Sequence, residues 1–352
     1  MRALVCDGPE RVSLREVATP EPGPDEVLVR VTAALTCATD FKIVKRGHSK
    51  FPFPLTLGHE FAGVVERAGE GAGFQAGDRV TSAVSSPCGA CAACRAGREN
   101  LCETAFERPL FGAFADFLLV PERAVKNGLR RIPEGLADEA AALRDPLASV
   151  VHGLGCVNEA ARAGGVLIVG TGPIAAMLFF LLRGKDWKTG AERRLVVAGR
   201  REERLVFFER NMAEVARIGG SSREPAAGAA PVPLFTFKEN LRSFSLVIDT
   251  TGDTRVIESL PALAADGGTV LLFAGVPSGT RVSLDAHAIH YREVSIVGSF
   301  HYTPREADEA LALLSRGAIP VGDIVSAHRP LSDWHAAFDL ARNGAMKVCL
   351  VP

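Results

Sequence analysis

"VLIVGTGPIAA", residues 166–176, decides the reading of this chain. Four apolar residues run into a glycine turn, and the turn opens on the apolar stretch "PIAAMLFFLL" (173–182). The short apolar run predicts a buried strand, and the longer one predicts a helix packed under a sheet. Between them Gly170, Gly172 and Ala175 stand in a G-x-G-x-x-A frame. Alone the frame is only a glycine-rich turn; between strand and helix it is a dinucleotide fingerprint. Gly170 permits the tight turn, and Gly172 lets the backbone approach a pyrophosphate. Ala175 keeps helix and strand close, so that the helix start at Pro173 and Ile174 faces the phosphates.

Working outward, the pattern repeats. Strand "RLVVAG" (194–199), a charged helix over "REERLVFFERNMAEVARIGG" (201–220), strand "SLVIDTTG" (245–252) and strand "GTVLLFAGV" (268–276) follow. Buried strands alternating with helices predict a doubly wound parallel α/β sheet of the Rossmann type. Before residue 145 the rhythm differs: "EVLVRVTAAL", "PLTLGHEFAGVVERAGEG" and "AGDRVTSAV" are short β-rich runs cut by turns. They suggest a partly open barrel. The last stretch holds one helix, "PREADEALALLSRG" (304–317), and a terminal strand, "MKVCLVP" (346–352). The expected organisation is a first domain over 1–150, a nucleotide domain over 151–288 and a return to the first domain over 289–352. "RGKDWKTGAERR" (183–194) is a charged insertion, and the Pro/Ala/Gly-rich "SSREPAAGAAPVP" (221–233) reads as a mobile surface loop.

At 352 residues the chain is long enough for about two domains. A net charge of -1 with no basic run argues against nucleic acid and membrane surfaces. The longest apolar stretch is too short to span a bilayer, and "MRALVCDGPERVSLREV" has no apolar run of signal-peptide kind. A cytoplasmic protein is expected.

"CGACAACRAGRENLC" (88–102) gathers four of the eight cysteines. A disulfide framework belongs to small secreted chains, and a redox pair needs only two thiols. Cys88, Cys91, Cys94 and Cys102 instead have the spacing of a closed tetrahedral zinc site, which staples a lobe and does no chemistry. A second set is scattered: Cys37 in "LTCATDFK", His59 and Glu60 in "TLGHEFAG", and Asp145 in "LRDPLASVVHG". Taken singly they read as a buried thiol, a core histidine and a helix cap. Beside a nucleotide fold they outline an open zinc site of Cys, His and carboxylate with room for a substrate oxygen. The second strand ends "VVAGRRE". Gly199 stands where an NAD-binding fold carries an acid, and Arg200 and Arg201 follow it. Removing the carboxylate makes room for a 2′-phosphate that guanidiniums can clamp, although both arginines can also simply begin a charged helix.

With "GHEFAGVVERAGEG" and "GDRV", the cysteine lobe, the fingerprint and the closing "GAMKVCLVP" in order, the chain resembles the zinc-dependent medium-chain dehydrogenases of the alcohol, sorbitol and threonine dehydrogenase kind. The likeness runs over essentially the whole length. It implies a GroES-like catalytic domain, a Rossmann domain, two Zn2+ per chain and a nicotinamide cofactor, here NADP(H). Cys37, His59, Glu60 and Asp145 become the catalytic metal group, and Cys88, Cys91, Cys94 and Cys102 the structural one. Asp40 becomes the acid that orients the ligand histidine, and Thr39 the hydroxyl that relays the alcohol proton. Lys347 joins the cofactor contacts. "VGSFHYTP" resembles a substrate-lining stretch, with Phe300, His301 and Tyr302 as contacts. A homodimer or homotetramer is also implied. Two departures stand out: Lys42 occupies the place of the usual relay histidine, and Asp145-Pro146-Leu147 replaces a Glu-Pro-Leu. The implied function is hydride transfer between NADP(H) and a secondary alcohol or ketone, a polyol, sugar or cyclitol. The rivals are a zinc-free quinone or enoyl reductase of the same superfamily and a nucleotide-binding protein without turnover.

Overall fold

The computed structural model describes residues 1–48, 51–184, 193–218, 235–236 and 243–352, with backbone only at 235–236. Most of the insertion at 183–194 and all of the loop at 221–233 lie outside the described residues. The chain divides into two compact units, Met1–Val151 with His301–Pro352, and His152–Phe300.

The second unit is built on Val166–Val169, four residues with no exposure to water. Parallel neighbours flank it, Leu195–Gly199 on one side and Phe244–Asp249 on the other. The sheet continues through Glu214–Ile218 at one end and through Ala264–Leu272 and Ser295–Gly298 at the other. This order is that of a Rossmann sheet, with the ligand-binding switch point beside the first strand. Phe235–Thr236 adds an antiparallel edge. The apolar helix Pro173–Arg183 buries seven side chains, from Ala175 to Leu182.

Two expectations need correction. The charged segment 201–220 is not one helix: Glu202–Arg210 is helical, Met212 turns the chain at a left-handed φ of 62°, and Glu214–Ile218 is a strand. Glu214 and Arg217 imitate a solvated helix face, yet Ala216 and Ile218 are buried at a spacing of two, the period of a strand. The chain also returns to the first unit at His301 rather than 289, because Ser295–Gly298 pairs with Ala264–Leu272 and completes the parallel sheet.

In the first unit Val27–Leu35 is the central strand. It pairs antiparallel with Glu60–Ala68, with Phe117–Val120 and, at Ala34 and Leu35, with the terminal strand Lys347–Val351. Arg2–Gly8 lies between Arg11–Glu16 and Leu55–Thr56 in a smaller sheet. Phe61, Phe114, Leu57 and Phe338 fill the core between these layers. Among the described residues no helix is long and apolar enough to cross a membrane.

Arg144 is fully buried and fastens the returning segment. It donates to Ala307 O (3.1 Å), Gly128 O (2.7 Å) and Asp308 Oδ1 (2.9 Å). Replacing it by methionine keeps the stem and removes all three bonds, while Asp308 retains Arg130. Arg144→Met should lower unfolding stability by roughly 2–4 kcal/mol. A urea midpoint equal to that of the unmodified chain would show the three bonds to be dispensable.

Candidate active site

The strand Val27–Leu35 delivers Cys37 to the start of the helix Ala38–Arg46, and a capping box holds it there. Thr39 N points to Cys37 Sγ (3.5 Å), while the Asp40 carboxylate reaches back to Cys37 N (3.1 Å). The other Asp40 oxygen accepts from Gly58 N (3.2 Å) and faces His59 Nδ1 at 3.5 Å. A carboxylate behind Nδ1 orients the ring and leaves Nε2 as the ligand nitrogen. The ligand atoms of Cys37, His59 and Glu60 all lie within 4.8 Å of one another. Burial alone would strip the His59 proton. The charges of Cys37 and Asp40 outweigh it and hold His59 well above its usual pKa. Negative groups gathered around a buried imidazole form a set that a divalent cation fits.

Lys347, the first residue of the terminal strand, sits inside this group. Its exposure is 2 %. Its Nζ donates to the Glu60 carboxylate and to Thr36 O (3.1 Å). Burial raises the Glu60 pKa, and Lys347 opposes that rise; burial pulls Lys347 down, but Glu60 and Cys37 more than restore it. The closing motif thus puts its lysine against Glu60.

Asp145 lies outside the group of three. Its Oδ1 accepts the Tyr302 hydroxyl and Val84 N (3.2 Å). Burial, then the Asp145 charge, push the Tyr302 phenol well above its ordinary pKa. His301 holds a left-handed φ of 57°, bonds through Nε2 to Ser85 Oγ and lies 4.0 Å, ring to ring, from Tyr302. Phe300 is 50 % exposed. Thr39 is half-buried and Lys42 is exposed on the same helix.

The four lobe cysteines form a second group with all sulfurs within 4.8 Å. Cys88 and Cys94 sulfurs are 3.9 Å apart, far beyond a bond of about 2.05 Å. Ala90 N and Cys91 N donate to Cys88 Sγ at 3.4 and 3.2 Å, and these bonds lower its pKa to about 6. Burial pushes Cys94 up to about 12. A thiolate is the ligand form, and four convergent sulfurs suit a closed zinc site.

On the nucleotide turn Gly170 has φ 117°, and a Cβ there would stand less than 3 Å from Thr250 Oγ1. Gly172 caps the helix with Pro173 behind it, and a Cβ at 172 would meet only Arg204 Nη1, at 3.7 Å. The turn therefore has room beside Gly172, as close approach of a pyrophosphate would need. Gly199 ends its strand, Arg200 Nη1 is 4.0 Å from Asp253 Oδ2, and Arg201 begins the helix Glu202–Arg210. The residue missed from sequence is Arg204. It is buried, and its Nη1 donates to Thr171 O (3.3 Å) beside the fingerprint. Its signal was an arginine next to Leu205 on the helix face that Leu205 and Phe208 bury.

Comparison with known proteins agrees with this geometry. Residues 23–130 match the alcohol dehydrogenase GroES-like domain. D-altritol 5-dehydrogenase of Agrobacterium fabrum is 32 % identical over 92 % of this chain and 90 % of its own. L-threonine 3-dehydrogenase of Deinococcus radiodurans is 30 % identical over 98 % of this chain and 95 % of its own. A Sinorhizobium meliloti protein described as a zinc-binding dehydrogenase, bound to NADP, superposes with a TM-score of 0.80 at 31 % identity, covering 100 % of this chain and 99 % of that one.

Two predictions follow the two cysteine groups. Cys37→Ser should weaken metal binding by the open group and leave the melting temperature in place, whereas Cys94→Ser should lower it, since a closed site contributes folding energy. Metal analysis beside thermal unfolding checks both; equal melting temperatures would contradict the assignment. Because Cys37 and Asp40 hold the His59 pKa well above its usual value, a metal ion competes with that proton. Affinity of the open group should therefore fall as pH falls, by up to about tenfold per unit for the one proton released (about 1.4 kcal/mol). Chelator competition at several pH values reads the slope, and a flat profile would refute it.

Proposed function

Since the chain belongs to the zinc-dependent medium-chain dehydrogenases, we propose that it transfers a hydride between NADP(H) and a secondary alcohol or its ketone, on a polyol, sugar or cyclitol. The observation that carries this is the convergence of Cys37, His59 and Glu60 with Asp40 behind the imidazole, in a chain whose strand Leu195–Gly199, beside the fingerprint strand, ends before Arg200 and Arg201. When bound, zinc supplies Lewis acidity toward the substrate oxygen and the dinucleotide supplies the hydride acceptor or donor.

The chain's own residues do the rest. Cys37, His59 and Glu60 hold the metal, and Asp40 keeps the His59 ring in one tautomer. Lys347 neutralises Glu60, so its hold on that carboxylate competes with ligation. Thr39, in the first turn of its helix, takes the alcohol proton and passes its own outward. Lys42 lies three residues on, on the same helix face, and is exposed, so this face leads to solvent. His301, fixed by Ser85, offers an imidazole to substrate hydroxyls, and Tyr302, buried with its hydroxyl on Asp145, packs against that ring. The fingerprint turn and the helix start at Pro173 receive the pyrophosphate, and Arg200 the 2′-phosphate.

Both cysteine groups weigh against a zinc-free reductase, and intact Cys37, His59 and Thr39 weigh against a protein without turnover. Eight free thiols suit a reducing, cytoplasmic setting. The edge strand Ser295–Gly298 exposes Ile296, with Tyr291 exposed just before it, which supports a homo-oligomer.

The test is a comparison of kcat/KM for NADP+ and NAD+ across a panel of polyols and cyclitols. One charge-assisted contact of roughly 1.5–3 kcal/mol gives NADP+ a preference of about ten- to a hundredfold. Arg200→Ala should remove most of it without slowing NAD+ turnover. A protein that prefers NAD+ would overturn the cofactor reading, and a panel with no turnover would overturn the enzyme reading.

A further inference from the structure

Gly199 raises a question that its backbone does not answer. Its φ is not in the left-handed region, so an ordinary residue could adopt the same conformation. Space is what forbids a side chain. A Cβ at residue 199 would stand less than 3 Å from Thr171 Cγ2, 3.2 Å from its Oγ1 and 3.3 Å from its Cβ. Thr171 is the residue between the two fingerprint glycines, and it is buried. Being β-branched, it has few χ1 positions to escape to. Its backbone is held from the other side, because Arg204 Nη1 donates to Thr171 O and Arg204 is itself buried. The turn before it is held too, since Gly170 N donates to Ala198 O (2.8 Å).

We infer that Thr171 is a cofactor-specificity residue, whose side chain occupies the place that the ribose-binding carboxylate of an NAD enzyme requires at position 199. This rests on the dinucleotide reading of the second unit and adds a residue to it. The absence of an acid and the presence of Arg200 are then not the whole of the preference. The strand end is closed to an acid by a methyl group from the neighbouring turn. Charge at Arg200 attracts a 2′-phosphate, while shape at Thr171 excludes the group that would select a free 2′-hydroxyl. A specificity site built from one attractive and one obstructing element is a general device.

It follows that Gly199→Asp alone should not create an NAD-type site. The new Cβ must push the turn that carries Gly170 and Gly172, so the variant should lose thermal stability and gain no affinity for the 2′-hydroxyl form. Thr171→Ala removes both γ-atoms and leaves Thr171 Cβ, at 3.3 Å, as the nearest contact, which a shift of a few tenths of an ångström relieves. Thr171→Val keeps the obstruction. The experiment measures melting temperature, and binding of 5′-AMP and of 2′,5′-ADP by calorimetry, for the full chain, for Thr171→Ala and Thr171→Val alone, and for Gly199→Asp in the Thr171, Thr171→Ala and Thr171→Val backgrounds. The expected result is a strong coupling. In the alanine background Gly199→Asp should recover the melting temperature and bind 5′-AMP about tenfold tighter, as one added charge-assisted bond implies. In the threonine and valine backgrounds it should do neither. Additive effects, or a stable Gly199→Asp protein that gains 5′-AMP affinity by itself, would overturn the inference. So would a double variant with alanine that folds no better than Gly199→Asp. The unmodified chain separates the two levels of the argument: if it binds 2′,5′-ADP no tighter than 5′-AMP, the NADP reading fails, while the coupling between 171 and 199 is still decided by the cycle.

Discussion

A carboxylate at 1 % exposure needs a cation, and for Glu60 that cation is Lys347. Leaving either charge buried alone would cost several kcal/mol. Lys347 opens the strand Lys347–Val351, so this charge pairing is made only when that strand docks. The docking is specific: Thr36 N donates to Val348 O, Val348 N donates to Thr36 Oγ1, and Leu350 and Cys349 pair with Ala34 and Leu35. The residue just before Cys37 therefore receives the terminal strand. Through the capping box at Cys37, this one charge pairing fixes the entry to the helix that carries Thr39 and Asp40.

The same returning segment occupies two neighbours at once. Arg144 is bonded to Ala307 O and Asp308, and Asp145 to Tyr302. A carboxylate that resembled a metal ligand is thus engaged as a fastening for the residue beside His301. The bracing extends to the cysteine lobe. Ser86 N donates to Ala105 O, Leu110 N to Val84 O, and Phe106, which packs on the lobe's small core, meets the His301 ring at 5.0 Å. Val84 and Ser85 in turn hold Asp145 and His301. The cysteine lobe thus braces the segment that holds Asp145 and His301.

Glycine in the nucleotide unit answers to two different demands. Gly170 needs a backbone region closed to most residues and also lies against Thr250. Gly199 needs only room, and Thr171 takes it. The distinction matters because the first kind of glycine is legible in a motif, while the second is invisible until the neighbouring turn is placed. Arg204 shows the same limit. In sequence it is one of several charges in "REERL"; in the fold it is the buried guanidinium beside the turn.

Local pattern was sufficient wherever a signal was contained within a few residues. The apolar strand before Gly170, the spacing of Cys88, Cys91, Cys94 and Cys102, and the paired His59 and Glu60 each carry their meaning in their own neighbourhood. They led to the right fold class and to the residues of both thiol-bearing groups. It failed where polar residues on a partly exposed strand imitated a helix, at Glu214–Ile218, because charge records exposure and not backbone period. Which carboxylate stands with Cys37 and His59, where the closing lysine ends, what holds Asp145 and why residue 199 is glycine were decided by tertiary structure alone. Each of these is a contact between segments distant in sequence, set by the need to neutralise a buried charge or by the exclusion of overlapping atoms. Neither force leaves a local trace in the order of the residues.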